Sequence, residues 1–221
     1  MKHLLTWMLM AVLMVGLAAC SGNDQAEESA SAESLAKLVP ERSAQADTDK
    51  QVAACRAATQ KLGGALKSAL QGAMKEGGPA GALDVCHDEA EVIAERICEE
   101  EGLTVGRTSR RFRNPGNAPD EWEMAGLEAF EVRIAAGELP QDLEMWTTVT
   151  SAGGGRTFRY LKAIPTGPLC LKCHGSELAP DLDQKLVELY PDDHARGFAI
   201  GDMRGAFTVK IDLPRAGAPG G

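Results

Sequence analysis

Along this chain the spacing of apolar residues changes character twice, and the changes divide it into elements. From residue 49 to 74 they recur with a helical period. Val52, Cys55, Thr59, Leu62, Leu66, Leu70 and Met74 fall near one face. Lys75-Glu76-Gly77-Gly78-Pro79 then stops the helix, with Gly and Pro where a helix end favours them. A second helix is expected over 80–100, with Cys86, Ala90, Ile93 and Ile97 as its apolar stripe opposite a strongly acidic face. So short a connection predicts an antiparallel helical hairpin. A third helix is predicted over 119–136, with Met124, Leu127, Phe130 and Ile134 inward, opened by Pro119 and closed by Gly137 and Pro140. After it the period shortens. Residues 145–151 and 156–164 flank Ala152-Gly153-Gly154-Gly155 and read as a β-hairpin. Residues 181–189 carry Leu182, Leu186 and Leu189 on one helical face. Residues 206–213 alternate, placing Phe207, Val209, Ile211 and Leu213 inward and Thr208, Lys210 and Asp212 outward. Helices followed by a hairpin and a returning strand predict an α+β domain with an antiparallel sheet over residues 49–213, and a loose tail at 214–221.

The amino-terminal stretch is different. Residues 1–19 have the form of an export signal, with Lys2 at the start, an apolar run over 4–17 and Leu17-Ala18-Ala19-Cys20 closing it. Fourteen apolar residues are short for a bilayer span. Leu-Ala-Ala-Cys resembles the lipobox of bacterial lipoprotein signals, which would make Cys20 the lipidated first residue of the mature protein; ordinary cleavage beside the Ala pair is the plainer alternative. Residues 20–48, rich in Ser, Ala, Glu and Asp, read as a solvated tether. An exported, membrane-anchored lipoprotein facing the periplasm is therefore expected, and Ser21 after the Cys goes with outer-membrane sorting by analogy. The chain of 221 residues carries a formal charge of −9, which becomes −10 once Lys2 is removed with the signal. So acidic a protein is poorly suited to nucleic acid and favours neutral or basic partners.

The most specific chemistry lies at Cys170-Leu171-Lys172-Cys173-His174. Cys-x-x-Cys-His is the attachment signature of a c-type haem. Two thiols about one helical turn apart can each add to a vinyl group of the same porphyrin, and the His that follows can ligate the iron. A zinc site would want a second Cys pair, and a thioredoxin-like pair wants a βαβ setting. Neither is evident. Attachment of this kind takes place outside the bacterial cytoplasm, in agreement with the export signal. That compartment is oxidising. Cys55 lies 22 residues before Gly77 and Cys98 lies 21 after it, so the hairpin predicts a Cys55–Cys98 disulfide, the alternative being two buried thiols. Arg107, Arg110, Arg111 and Arg113 crowd seven residues of an acidic chain. Guanidinium groups suit the propionate carboxylates of a haem, and each is a candidate contact; the blander reading is a solvated loop.

An ordered set of motifs adds to this. Ala82-Leu83-Asp84-Val85-Cys86, Val105-Gly106-Arg107-Thr108-Ser109, Arg113-Asn114-Pro115-Gly116-Asn117, the haem motif with Pro168 and Gly175, Tyr190-Pro191-Asp192-Asp193 and Gly201-Asp202-Met203-Arg204-Gly205-Ala206 follow one another along residues 50–213. Together they resemble the bacterial PAS-like c-type haem domains catalogued as a domain of unknown function. The resemblance implies a PAS-like antiparallel sheet flanked by helices, one covalently bound haem c with His174 as proximal iron ligand, and the thiolate of Cys86 as distal ligand. Members of that family occur alone or fused to signalling modules, so redox or gas sensing is one implied role. Met203, His87 and His194 depart from the pattern and are alternative distal ligands; Cys86 as a small buried hydrophobe is the plain one. The expected function is an extracytoplasmic monohaem cytochrome of low potential that transfers electrons or senses through a separate partner, rather than an enzyme. The alternatives are a His/Met-ligated electron carrier and a peroxidase-like haem enzyme.

Overall fold

The computed structural model describes residues 24–215, with side chains from residue 44 onward. The export signal, Cys20 and most of the tail therefore lie outside the described residues. A segment ending at Ala46 is distinguished from a compact unit that begins at Asp47. Helix α1 runs Asp24–Asp84. The stretch read as a tether, 20–48, is helical from Asp24; Ala, Glu, Gln and Lys are strong helix formers. One residue inside α1 is not helical. Gly78 has φ 64° and ψ −163°, a conformation open to glycine, and it sits in the Lys75–Pro79 stretch where the sequence stops the helix. A single π turn, Val85–Glu89, connects to α2, Ala90–Glu101.

The predicted hairpin forms. Val52, Cys55, Ala58 and Leu62 of α1 share a core cluster with Ile97 of α2, and Lys61 bridges to Glu100 (2.8 Å) and Glu101 (2.5 Å). The predicted Cys55–Cys98 disulfide does not. Both thiols are free, although both belong to this cluster. Cys98 Sγ is turned to the backbone of the following strand, accepting from Val105 N at 3.2 Å and lying 3.5 Å from Val105 O. Cys55 is fully buried, and burial raises its pKa to about 12.

The sheet is four-stranded and wholly antiparallel, in the order β1 (Thr104–Thr108), β4 (Met203–Leu213), β3 (Arg156–Pro165), β2 (Glu144–Thr150). Its two faces follow the strand alternation. Phe158 and Tyr160 of β3 and Val209 of β4 pack with Phe207 and Ile211 on the α1–α2 side. Leu161, Ala163 and Ala206 pack on the other side against Leu127 and Phe130 of α3, Glu121–Ala135. The face of β4 expected outward is therefore partly covered, with Asp212 left exposed. Thr208 donates to Glu123 of α3 (2.7 Å), and Lys210 lies 3.6 Å from Asp120. Helix α3 opens on a capping box made by Asp120 and Glu123. The α+β class and the antiparallel sheet are as expected; β1 is an addition. Among the described residues, no helix is long and apolar enough to cross a membrane.

Candidate functional site

Between α1, the π turn and the sheet lies a cavity of about 490 Å³, a size usual for cofactor pockets. The apolar stripe of α1 divides its work. Its first half fills the core, while Leu66, Leu70 and Met74 line the cavity, joined by Leu83. Ile164 and Phe207 from the sheet and Phe112 from the Arg-rich loop add further apolar wall. Gly205 permits the close fit at the rim of β4. It has φ 155°, and a Cβ there would stand 2.4 Å from the Thr108 carbonyl oxygen.

Cys170, Cys173 and His174 all line this cavity. They stand on one helical turn, α4 (Leu171–His174), preceded by Cys170 in helical conformation. Cys173 N and His174 N both donate to Cys170 O, at 3.2 and 2.9 Å. The thiols therefore project from successive points of a single turn. His174 is held from outside the cavity. Its Nδ1 lies 2.7 Å from the carbonyl oxygen of Ala195, so Nδ1 carries the proton and Nε2 keeps a free lone pair. The backbone between Asp193 and Phe198 runs alongside, with Gly197 N donating to Gly175 O and Phe198 N to His174 O, both at 2.9 Å. Burial, followed by the positive charges of Arg204 and Arg113, brings the His174 pKa down to about 2. The imidazole is neutral, the form that binds a metal.

Cys86 lines the same cavity from the π turn. It is open toward the cavity yet surrounded by protein. Burial therefore raises its pKa, against the pull of Arg107, Arg113 and Arg204. Its segment is fastened to α5 (Pro180–Leu189) by Leu83, which packs with Leu182, Leu186 and Tyr190, and by Lys185, which meets Asp84 at 2.6 Å and the Ala80 carbonyl at 3.0 Å.

The four arginines of the loop separate. Arg107 lines the cavity with no carboxylate partner among the described residues, and desolvation lowers its pKa. Arg110 points elsewhere, pairing with Glu131 at 2.5 Å. Arg111 stacks over the Phe198 ring, 3.9 Å from its centroid, and is not part of the cavity wall. Arg113 reaches the cavity, but its donors are committed to Asp193, Cys173 O and Ala195 O. Arg204, next to Met203 in the Gly201–Ala206 motif, is the second cavity cation without a carboxylate partner among the described residues, and it donates to Ser109 Oγ and Arg111 O. Burial takes its pKa down to about 10. Its signal was present in the Gly201–Ala206 motif.

The alternative ligands fall away from the cavity wall. Met203 packs on the α3 side of the sheet with Leu127 and Phe130. His87 contacts Asp88 at 2.6 Å and stands edge-on to Tyr190, and His194 stands edge-on to Phe112. None of the three lines the cavity. Two thiols on one turn, an imidazole with a free lone pair, a third thiol, apolar walls and two guanidiniums without a carboxylate partner could together hold a haem with its two carboxylates.

The model of the Tll0287-like family matches residues 23–212. Among solved structures, the crystal structure of the cyanobacterial heme-protein Tll0287 is similar. It is 24% identical, with a TM-score of 0.52, over 76% of this chain and 96% of that one, a likeness of fold. No curated protein matches.

Proposed function

We propose, for a chain that belongs to the Tll0287-like family, that the cavity holds one haem c, joined through thioethers at Cys170 and Cys173 and ligated by His174 Nε2 and Cys86 Sγ. The observation that carries this reading is the meeting of all four residues in one cavity, although 83 residues of chain lie between Cys86 and Cys170. The relative named above is a heme-protein, which supports it. Arg107 and Arg204 would take the propionates. When bound, the haem supplies a one-electron couple; the rest is done by the chain. Ala195 fixes the tautomer of His174, as second-shell acceptors do for ligating histidines. Cys86 supplies a thiolate, which favours ferric iron and a low potential. With a haem held there, Cys86 would be the group that takes up a proton from water when a partner supplies one electron, and a thiol is a weaker metal ligand than a thiolate.

The protein is accordingly a one-electron redox protein, transferring electrons or reporting redox state or a diatomic gas through a separate partner, and not an enzyme. It works outside the cytoplasm, exported by residues 1–19 and anchored through a lipid on Cys20. A His/Met carrier and a peroxidase gain no support, since neither Met203 nor the rings of His87 and His194 line the cavity. Haem staining on a denaturing gel, followed by CO addition to the dithionite-reduced protein, tests the reading. A stained band that binds CO only when reduced is expected. An unstained band, or a reduced form closed to CO, would contradict it.

A further inference from the structure

We propose that Arg113 and Asp193 form a charge pair that sets how strongly His174 donates to the iron, Arg113 weakening the donation and Asp193 strengthening it. This rests on the reading of the cavity as a haem site. The pair is almost wholly buried, with Arg113 7% and Asp193 3% exposed, and Arg113 Nε donates to Asp193 Oδ1 at 3.1 Å. Its position relative to His174 is specific. Arg113 Nη2 donates to Cys173 O (2.6 Å), the carbonyl preceding His174, and to Ala195 O (3.3 Å), the oxygen that accepts from His174 Nδ1. Asp193 Oδ1 in turn accepts from Ala195 N (2.9 Å). One guanidinium thus spans the haem turn and the carbonyl that orients its histidine.

The chemistry follows from the shared oxygen. A cation on the Ala195 carbonyl draws its electron density away from the His174 Nδ1–H, so the imidazole gains less imidazolate character and stabilises ferric iron less. The carboxylate acts in the opposite sense, both by its own charge and by balancing the guanidinium. Arg196 also holds Asp193, at 2.9 Å, and itself pairs with Asp183, so removing Arg113 does not leave the carboxylate alone. Arg113 is a positioning residue. The loop arginine that looks like a propionate ligand in sequence faces the motif's own backbone instead.

Two variants with opposite charge changes separate tuning from simple support. Spectroelectrochemical titration of the full-length haem protein is expected to place Arg113→Gln below wild type and Asp193→Asn above it. Each displacement should be about tenfold in the reduction equilibrium constant, ~59 mV for one electron. Arg113→Lys, which keeps the charge but loses the fork, should move less than Arg113→Gln. Loosening of the loop alone would displace Arg113→Gln and Asp193→Asn in the same direction, and that result, or no displacement, overturns the proposal. If Arg113→Gln does not accumulate folded, the near-isosteric Asp193→Asn decides: a rise supports the proposal, and a fall or no change rejects it. A wild type without covalent haem would remove the haem reading itself, a separate failure visible on the stained gel.

Discussion

The two sides of the cavity that carry His174 and Cys86 are built to different standards. His174 stands on a turn tied by backbone hydrogen bonds to the Asp193–Phe198 segment, with a buried ion pair behind it. Cys86 stands on a π turn in which no residue is buried, eight residues after a glycine break in the helix. Its support comes from Leu83, from Lys185 on Asp84 and the Ala80 carbonyl, and from the edge contact of His87 with Tyr190. Ordered, satisfied polar networks rigidify, whereas π turns are sparsely populated and recur at functional sites. The difference teaches that the His174 turn is braced on more sides than the Cys86 segment, as the proposed fixed histidine and movable thiol would need.

His174→Ala should break the comparison most severely. Most of the haem-bearing protein should be lost, read by stain intensity per unit protein, whereas Cys86→Ala should keep its stain. Next is Leu83→Ala. Leu83 is 1% exposed in the cluster that fastens the Cys86 segment to α5, and its truncation should cost about 3 kcal/mol in denaturant titration. A cost under about 1 kcal/mol would mean that the segment is held elsewhere.

The rigid side carries a pH signature. Burial opposes ionisation of Asp193, but hydrogen bonds from Arg113, Ala195 N and Arg196 outweigh it and hold the carboxyl below its usual range. A depressed carboxyl contributes stability that is present above the unfolded value, about 3.9, and is lost as pH falls through the folded one. Asp193→Asn should therefore be about 2 kcal/mol less stable than wild type at neutral pH. The gap should close on acidification, as followed by urea melts from pH 7 to 3; a gap that stays constant would deny the carboxylate this role. Smallest in energy is Lys185→Ala. The ion pair is 31% and 57% exposed, so stability should fall by less than about 1 kcal/mol. CO association with the reduced protein should nonetheless quicken in stopped flow, since the thiol segment loses a tie.

Much of this was legible along the chain. The stripe from Val52 to Met74 had a helical period, and only the destination of its second half, a cavity wall rather than core, depended on tertiary structure. Cys170, Cys173 and His174 were carried by spacing alone. Cys86 was reached through the ordered motifs rather than through its helix, because a cavity-facing thiol and a core thiol occupy the same stripe. Strand β1 is not legible in sequence because Val105 is its only buried apolar residue and its β4 partners stand 98 to 106 residues further on. The Cys55–Cys98 prediction used distance along two helices, and sequence holds no record of which way each thiol turns. The loop arginines misled for a related reason: a guanidinium suits a propionate, a glutamate or a carbonyl equally, and only the fold assigned Arg110 to Glu131 and Arg113 to the backbone of Cys173 and Ala195.

The claim that a movable thiol completes the site is tested most directly by ferric EPR and absorption spectra of wild type and Cys86→Ala, with equal haem staining as the control. The account predicts a low-spin, thiolate-ligated signal in wild type that disappears in Cys86→Ala while the covalent haem remains. Identical ferric spectra in the two proteins would contradict it.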